Sequence, residues 1–191
     1  MDIKDVYMEG SYFQIPTKLS KDSIDALLLE SKTWDKELIT GTTSLAQDAA
    51  RRQSQVYWLP VDHWVAGMMA HLVRSANDFY FRADITNWAN PVQYTYYNGD
   101  RGDFYGWHID SAQSEIVRGD IRKLSISLLL SDPDDYEGGE LQLHRLDRLE
   151  TLKPPLGTAI IFSSQTPHRV RPVKSGVRKS LVGWFGGPPW R

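Results

Sequence analysis

Tyr105-Gly106-Trp107-His108-Ile109-Asp110 reads as a β-strand whose side chains alternate, so that His108 and Asp110 share one face and Ile109 takes the other. Upstream, Val92 to Tyr97 alternates in the same way, and Gly99, Gly102 and Gly106 punctuate the approach to His108. Downstream, Lys123 to Ser131 carries a strand core, Leu124-Ser125-Ile126-Ser127-Leu128-Leu129-Leu130. Asp132-Pro133-Asp134-Asp135 makes a turn that returns through Gly138-Gly139-Glu140-Leu141-Gln142-Leu143. Gly157 to Phe162 and Ser180 to Phe185 are two further apolar strands. Several short strands with turn signals between them point to a sandwich or barrel.

The first ninety residues read as a mixed, mainly helical support. Ser20 stands at an N-cap position ahead of Ile24, Leu27 and Leu28 at helical spacing. Val56-Tyr57-Trp58-Leu59 is strand-like, and Pro60 then opens a second amphipathic helix over about Val61 to Phe79, with Trp64, Met68, His71 and Leu72 on one face. No repeat, low-complexity tract or Gly/Ser/Pro-rich linker interrupts the chain. Residues 1–191 are therefore expected to form one domain, with helical support to about residue 90 and a β core over about 91–191.

Composition narrows the chemistry. The 22 aromatic residues (seven Trp, nine Tyr, six Phe) suit a tightly filled β-rich core. A net charge of -2 lacks the basic bias that favours nucleic acid. There is no cysteine, so disulfides, thiolate metal sites and cysteine nucleophiles are excluded, and any metal must be held by nitrogen and oxygen. The start, Met1-Asp2-Ile3-Lys4-Asp5, lacks the apolar run of a signal peptide, and no stretch reaches membrane-spanning length. A cytoplasmic enzyme with no membrane partner is the expectation.

A His-x-Asp tripeptide alone carries little weight, and His168, just past the strand ending at Phe162, reads by itself as an ordinary loop histidine. Taken together, His108, Asp110 and His168 form a set of two histidines and one carboxylate. Such a set covers one face of an octahedral metal, leaves three positions open and points to non-haem Fe(II) and oxygen chemistry. Arg178, ten positions after His168, adds a planar fork suited to a carboxylate.

Five segments in order resemble the Fe(II)/2-oxoglutarate-dependent dioxygenases, in particular their prolyl-4-hydroxylase-like branch. They are Gln93-Tyr94-Thr95-Tyr96-Tyr97-Asn98-Gly99, Tyr105 to Asp110, Gly138-Gly139-Glu140, Gly157 to Phe162 with His168-Arg169-Val170 and Pro172-Val173, and Gly176-Val177-Arg178 with Gly183-Trp184. The resemblance runs over about Gln93 to Trp184. It implies an α+β, mainly β fold: a double-stranded β-helix (jelly-roll) core with supporting N-terminal helices. It also implies that His108, Asp110 and His168 are the iron ligands and that Arg178 pairs with the distal carboxylate of 2-oxoglutarate. Tyr97, four residues after Gln93 and on the same strand face, would support that carboxylate. Tyr96 is its rival, because this chain has two residues more than the common pattern before His108. Gln93 and Ser125 are the remaining cosubstrate-side candidates, Ser125 also reading as a plain strand serine.

The implied cofactors are Fe(II), 2-oxoglutarate as cosubstrate and O2, with ascorbate as reductant. The implied activity is hydroxylation of an aliphatic C–H bond, on a prolyl or other side chain of a peptide or protein, with release of succinate and CO2. A free amino acid or small metabolite is the alternative substrate. Nucleic-acid demethylation ranks lower, because enzymes of that kind carry a second arginine six positions after the first, where this chain has Trp184. A non-catalytic metal-binding module ranks lower still, since the ligand set and Arg178 are all present. Trp107 and Trp184 read as core filling, Lys179 as solvated, and His63, His71 and His144 as packing or surface residues. The basic run Arg169, Arg171, Lys174, Arg178 and Lys179 reads as a solvated face plus one cosubstrate arginine, and Ser111 to Asp120 as a candidate substrate lid.

Overall fold

The computed structural model describes residues 7–9, 12–17, 19–41, 50–111 and 120–189. The N-terminal part supplies β1 (Tyr7–Glu9), β2 (Tyr12–Pro16), α1 (Lys21–Trp34), β3 (Ile39–Thr40), β4 (Arg52–Gln53), β5 (Gln55–Leu59) and α2 (Trp64–Ala76). The remainder is all strand and turn: β6 (Val92–Asn98), β7 (Phe104–His108), β8 (Ile121–Leu129), β9 (Tyr136–Gly138), β10 (Leu141–Arg145), β11 (Arg148–Leu152), β12 (Thr158–Ser163), β13 (His168–Val170) and β14 (Val173–Gly187).

These strands form two antiparallel sheets. The larger runs β1-β2-β12-β8-β14-β6-β5-β3 with β9 added to β14, and the smaller runs β11-β10-β13-β7-β4. Leu124, Ile126 and Leu128 of β8, with Tyr94, Ile161, Leu181 and Phe185, face outward onto Leu27 and Trp34 of α1 and Val65, Met69 and Val73 of α2. Tyr97, Leu129, Ile160 and Phe162 point the other way, onto Leu141, Leu143 and Val170 of the smaller sheet. Both faces of the larger sheet are thus covered, which is why β6 and β8 are buried along most of their length despite their alternation.

The helix signals act as the sequence implies, with one shift. Ser20 Oγ accepts the Ser23 N–H at 3.1 Å and caps α1. For α2 the cap is His63, whose Nδ1 accepts the Val65 N–H at 3.3 Å, so the helix starts at Trp64 and not at Val61. It then continues as a π-helical turn over Asn77–Phe81. Beside these helices the first ninety residues carry five strands, where the sequence shows one at Val56 to Leu59, and these strands extend both ends of the larger sheet and one edge of the smaller. β3 and β4, of two residues each, are too short to show a period, and only their partners define them.

Candidate metal centre

His108 ends β7 and His168 begins β13, and the two are direct partners in the antiparallel ladder. Their ring centroids lie 4.0 Å apart. The Nδ1 of His108 faces the Gly106 carbonyl at 2.8 Å, and that of His168 faces the Thr166 carbonyl at 2.9 Å. A carbonyl oxygen only accepts, so both rings carry their proton on Nδ1 and present a bare Nε2 inward.

Asp110 lies two residues beyond the end of β7. Its N–H donates to Ser164 O at 2.9 Å, which carries the chain on so that Asp110 is buried beside His108 while Ile109 stays exposed. Its carboxylate accepts from Ser125 Oγ at 2.7 Å, and Ser125 Oγ in turn lies 2.9 Å from Ser164 Oγ. The Nε2 atoms of His108 and His168 stand 3.6 and 3.4 Å from the carboxylate oxygens, and the three donor atoms lie within 4.8 Å of one another. Neighbouring ligands of a six-coordinate ion with bonds of about 2.1 Å sit about 3 Å apart, close to this spacing.

The electrostatics favour a cation. Burial, reinforced by the charge His168 would carry, lowers the pKa of His108 to about 3, so its Nε2 lone pair is free at neutral pH. Burial alone raises the Asp110 pKa, but electrostatic attraction to the neighbouring His168, His108 and Arg122 side chains and the Ser125 hydrogen bond outweigh it and lower the pKa. Two imidazole nitrogens and one buried carboxylate form an N/O donor set suited to a divalent cation.

Arg178 on β14 pairs in register with Tyr97 on β6. Its guanidinium is buried, lies 5.5 Å from the Tyr97 ring and donates to Ser180 Oγ at 3.0 Å. Tyr97 shares the inward face with Gln93 and Thr95. Tyr96 packs on the outer side, where Lys179 Nζ lies 5.5 Å from its ring. The side-chain oxygen of Gln93 is taken by Arg52 at 3.0 Å and Thr95 at 3.3 Å, so Gln93 serves an internal network. Ser125 stands against the Asp110 carboxylate, because alternation along β8 turns it inward between two outward leucine and isoleucine neighbours.

Arg52 carries no signal in the sequence, and Tyr105 carries none beyond its place on the ligand strand. The Tyr105 ring stacks on His108 at 3.6 Å, and the Arg52 guanidinium covers it at 4.5 Å from the ring centroid. Arg52 also donates to Ser54 Oγ at 2.8 Å. It enters through β4, a strand of two residues that pairs with β7.

Two readings are corrected. Lys179 is not solvated: its Nζ meets Asp35 at 2.7 Å, and Asp35 also accepts the Tyr94 hydroxyl at 2.7 Å, tying the end of α1 to the sheet. Trp107 is not core filling, because it stands on the outer face of the smaller sheet, 40% exposed, under the Arg169 guanidinium at 4.7 Å. Trp184 is buried, with Arg122 at 4.1 Å above its ring. The basic run is dispersed: Arg171 meets Glu140, Lys174 meets Glu137, and Arg178 turns inward. His63 pairs with Glu30 at 2.7 Å. Residues 112–119 of the candidate lid lie outside the described residues.

Residues 92–186 match the family model described as the 2OG-Fe(II) oxygenase superfamily. A PKHD-type hydroxylase of Shewanella sp. (strain ANA-3) is 31% identical over 179 residues, covering 90% of this chain and 76% of that protein. One of Synechococcus sp. (strain CC9902) is 46% identical over 84 residues, which span 44% of this chain and about a third (36%) of that relative's length. Among solved structures, a prolyl-4-hydroxylase from Pseudomonas putida superposes with a TM-score of 0.71 and 25% identity, over 98% of this chain and 96% of that one. The viral collagen prolyl hydroxylase of Paramecium Bursaria Chlorella virus-1 shares the fold, with a TM-score of 0.70, 24% identity and coverage of 93% and 96%.

Proposed function

The chain belongs to the 2OG-Fe(II) oxygenase superfamily, and from that premise we propose that it hydroxylates a prolyl side chain of a peptide or protein at a centre formed by His108, Asp110 and His168. The observation that carries this is the convergence of those three donors in the same interior as Arg178 and Tyr97. His108 and His168 come from the smaller sheet, and Arg178 and Tyr97 from the larger. The prolyl substrate is supported by the likeness to the Pseudomonas putida enzyme over nearly the whole chain.

In this reading His108 Nε2, His168 Nε2 and one Asp110 oxygen hold Fe(II), and Arg178 with Tyr97 receives the distal carboxylate of 2-oxoglutarate. When bound, iron and cosubstrate supply the oxidising power for turning C–H into C–OH, with O2 consumed and succinate and CO2 released. The protein contributes position. The Gly106 and Thr166 carbonyls set the two histidine tautomers. Ser125 aims the carboxylate, and the Tyr105 ring braces His108 from the side. Arg178, fixed by Ser180 and planar, measures the length of the dicarboxylate. No side-chain base is required at the carbon that is oxidised.

The test is succinate release with Fe(II), 2-oxoglutarate and ascorbate, run against proline-containing peptides and against free amino acids. Peptide-dependent succinate above the uncoupled background, with one added oxygen on proline by mass spectrometry, is the expected result. Product from free amino acids alone would replace the peptide substrate with a metabolite. No stimulation by either would end the prolyl proposal.

A further inference from the structure

A residue outside the resembling motifs closes the carboxylate end of the pocket. Tyr136 lies on β9, which pairs with the start of β14 so that Tyr136 stands opposite Gly176, two residues before Arg178. It is buried in the same inter-sheet cluster as Tyr97. Its ring and the Arg178 side chain wall the same glycine: a Cβ on Gly139 would meet Arg178 Cδ at 2.9 Å and the Tyr136 ring at 3.2 Å. Gly139 itself is at φ 66°, so the close approach depends on a residue without a side chain. Arg178 and Tyr136 are therefore side-chain neighbours, the Arg178 charge acting on the Tyr136 phenol, while its guanidinium also lies over Tyr97. A third element locks the ring from outside. Lys153, just past β11, donates to the Tyr136 carbonyl at 2.9 Å and lies 4.5 Å from the ring centroid.

We propose that Tyr136 is a second phenol of the cosubstrate site, donating its hydroxyl proton to the distal carboxylate held by Arg178 and Tyr97, with Lys153 as the residue that positions it. The physical case is that a carboxylate carries about four acceptor sites, and one guanidinium shared with Ser180 together with the single phenol of Tyr97 does not fill them all. Burial raises the Tyr136 pKa, so the phenol stays protonated and able to donate. A neutral donor beside the guanidinium adds a charge-assisted hydrogen bond without adding like charge. The inference rests on the reading that Arg178 takes the distal carboxylate.

The experiment is anaerobic titration of the Fe(II)-loaded protein by calorimetry with 2-oxoglutarate and with pyruvate, which has the same keto-acid end and no distal carboxylate. Tyr136→Phe is expected to weaken 2-oxoglutarate about tenfold, the effect of one hydrogen bond to a charged group, and to leave pyruvate unchanged. Lys153→Met, which keeps the phenol but frees its ring, is expected to show a smaller loss confined to the same ligand. Equal weakening of both ligands in Tyr136→Phe would mean a general packing role, and no weakening would mean no contact; either overturns the inference. Should Tyr136→Phe not fold, Lys153→Met binding both ligands as the parent does would overturn it instead. Arg178→Ala separates the two levels: if it binds 2-oxoglutarate normally, the underlying placement of the carboxylate fails, whereas a loss there with a silent Tyr136→Phe removes only the role of Tyr136.

Discussion

Replacing Ser125 by alanine removes a side-chain donor to the Asp110 carboxylate, a hydrogen bond of 2.7 Å between groups that are both nearly inaccessible to water. A hydrogen bond to a buried charge contributes about 1.5–3 kcal/mol, and each 1.4 kcal/mol is tenfold in an equilibrium constant. Ser125→Ala should therefore weaken divalent-metal binding by about 10- to 100-fold, the range in which residues behind a ligand act elsewhere. The backbone should hold, because Asp110 keeps its N–H bond to Ser164 O at 2.9 Å. Ser164→Ala should cost less, since Ser164 Oγ touches Ser125 at 2.9 Å and reaches Asp110 only through it. If the hydroxyls act in series, the double variant should bind metal within about 0.5 kcal/mol of Ser125→Ala alone. Anaerobic calorimetry with Fe(II) on all three proteins, with melting curves to confirm folding, reads these quantities. Ser125→Ala binding Fe(II) within twofold of the parent would refute the reasoning that this hydroxyl orients the ligand.

Three further outcomes are expected. The metal-free protein should lose stability on acidification: His108 has a pKa of about 3 when folded against 6.5 when unfolded, so the unfolded chain binds the proton first. The contribution is complete above about pH 6.5 and shrinks as pH falls toward 3, by about 2 kcal/mol at pH 5. Urea melts at pH 7 and 5 should show it, and His108→Asn should flatten the difference. Asp35→Ala leaves Lys179 and the Tyr94 hydroxyl without their shared carboxylate and should lower stability by about 1–3 kcal/mol, read as a urea midpoint shift; a change under about 0.5 kcal/mol would show that the ion pair is solvated in practice. Gly139→Ala, at φ 66° and with its new methyl 2.9 Å from Arg178 Cδ, should displace Arg178 and weaken 2-oxoglutarate binding more than it weakens Fe(II) binding. Equal loss of both ligands would instead indicate general unfolding.

Much of the β core was legible because its strands are long enough to show a period. Leu124, Ile126 and Leu128 alternate with Ser125 and Ser127 over nine residues, and the structure turns the first set to the helices and Ser125 to the pocket. That Tyr97 shares an inward face with Gln93 and Thr95, and Tyr96 does not, could be read because β6 is such a strand. Of the N-terminal strands only β5 could be read, at Val56 to Leu59: β4 has two residues, and Arg52 within it is indistinguishable in sequence from any surface arginine. Only its pairing with β7 carries that guanidinium to Tyr105, beside His108.

The sequence by itself determined the chemistry available: two histidines, one carboxylate and an arginine in a cysteine-free chain, on strands whose alternation selects an inward face. Tertiary structure alone decided what those groups touch. Ser125 became a support for Asp110, Lys179 a partner of Asp35, and Trp107 an outward platform under Arg169. It also brought Tyr136 to Arg178 and Arg52 to Tyr105 from segments with no period of their own. Alternation specifies a side of a strand, but register between strands far apart in the chain specifies a neighbour, and that register is set by how both sheets pack around one core.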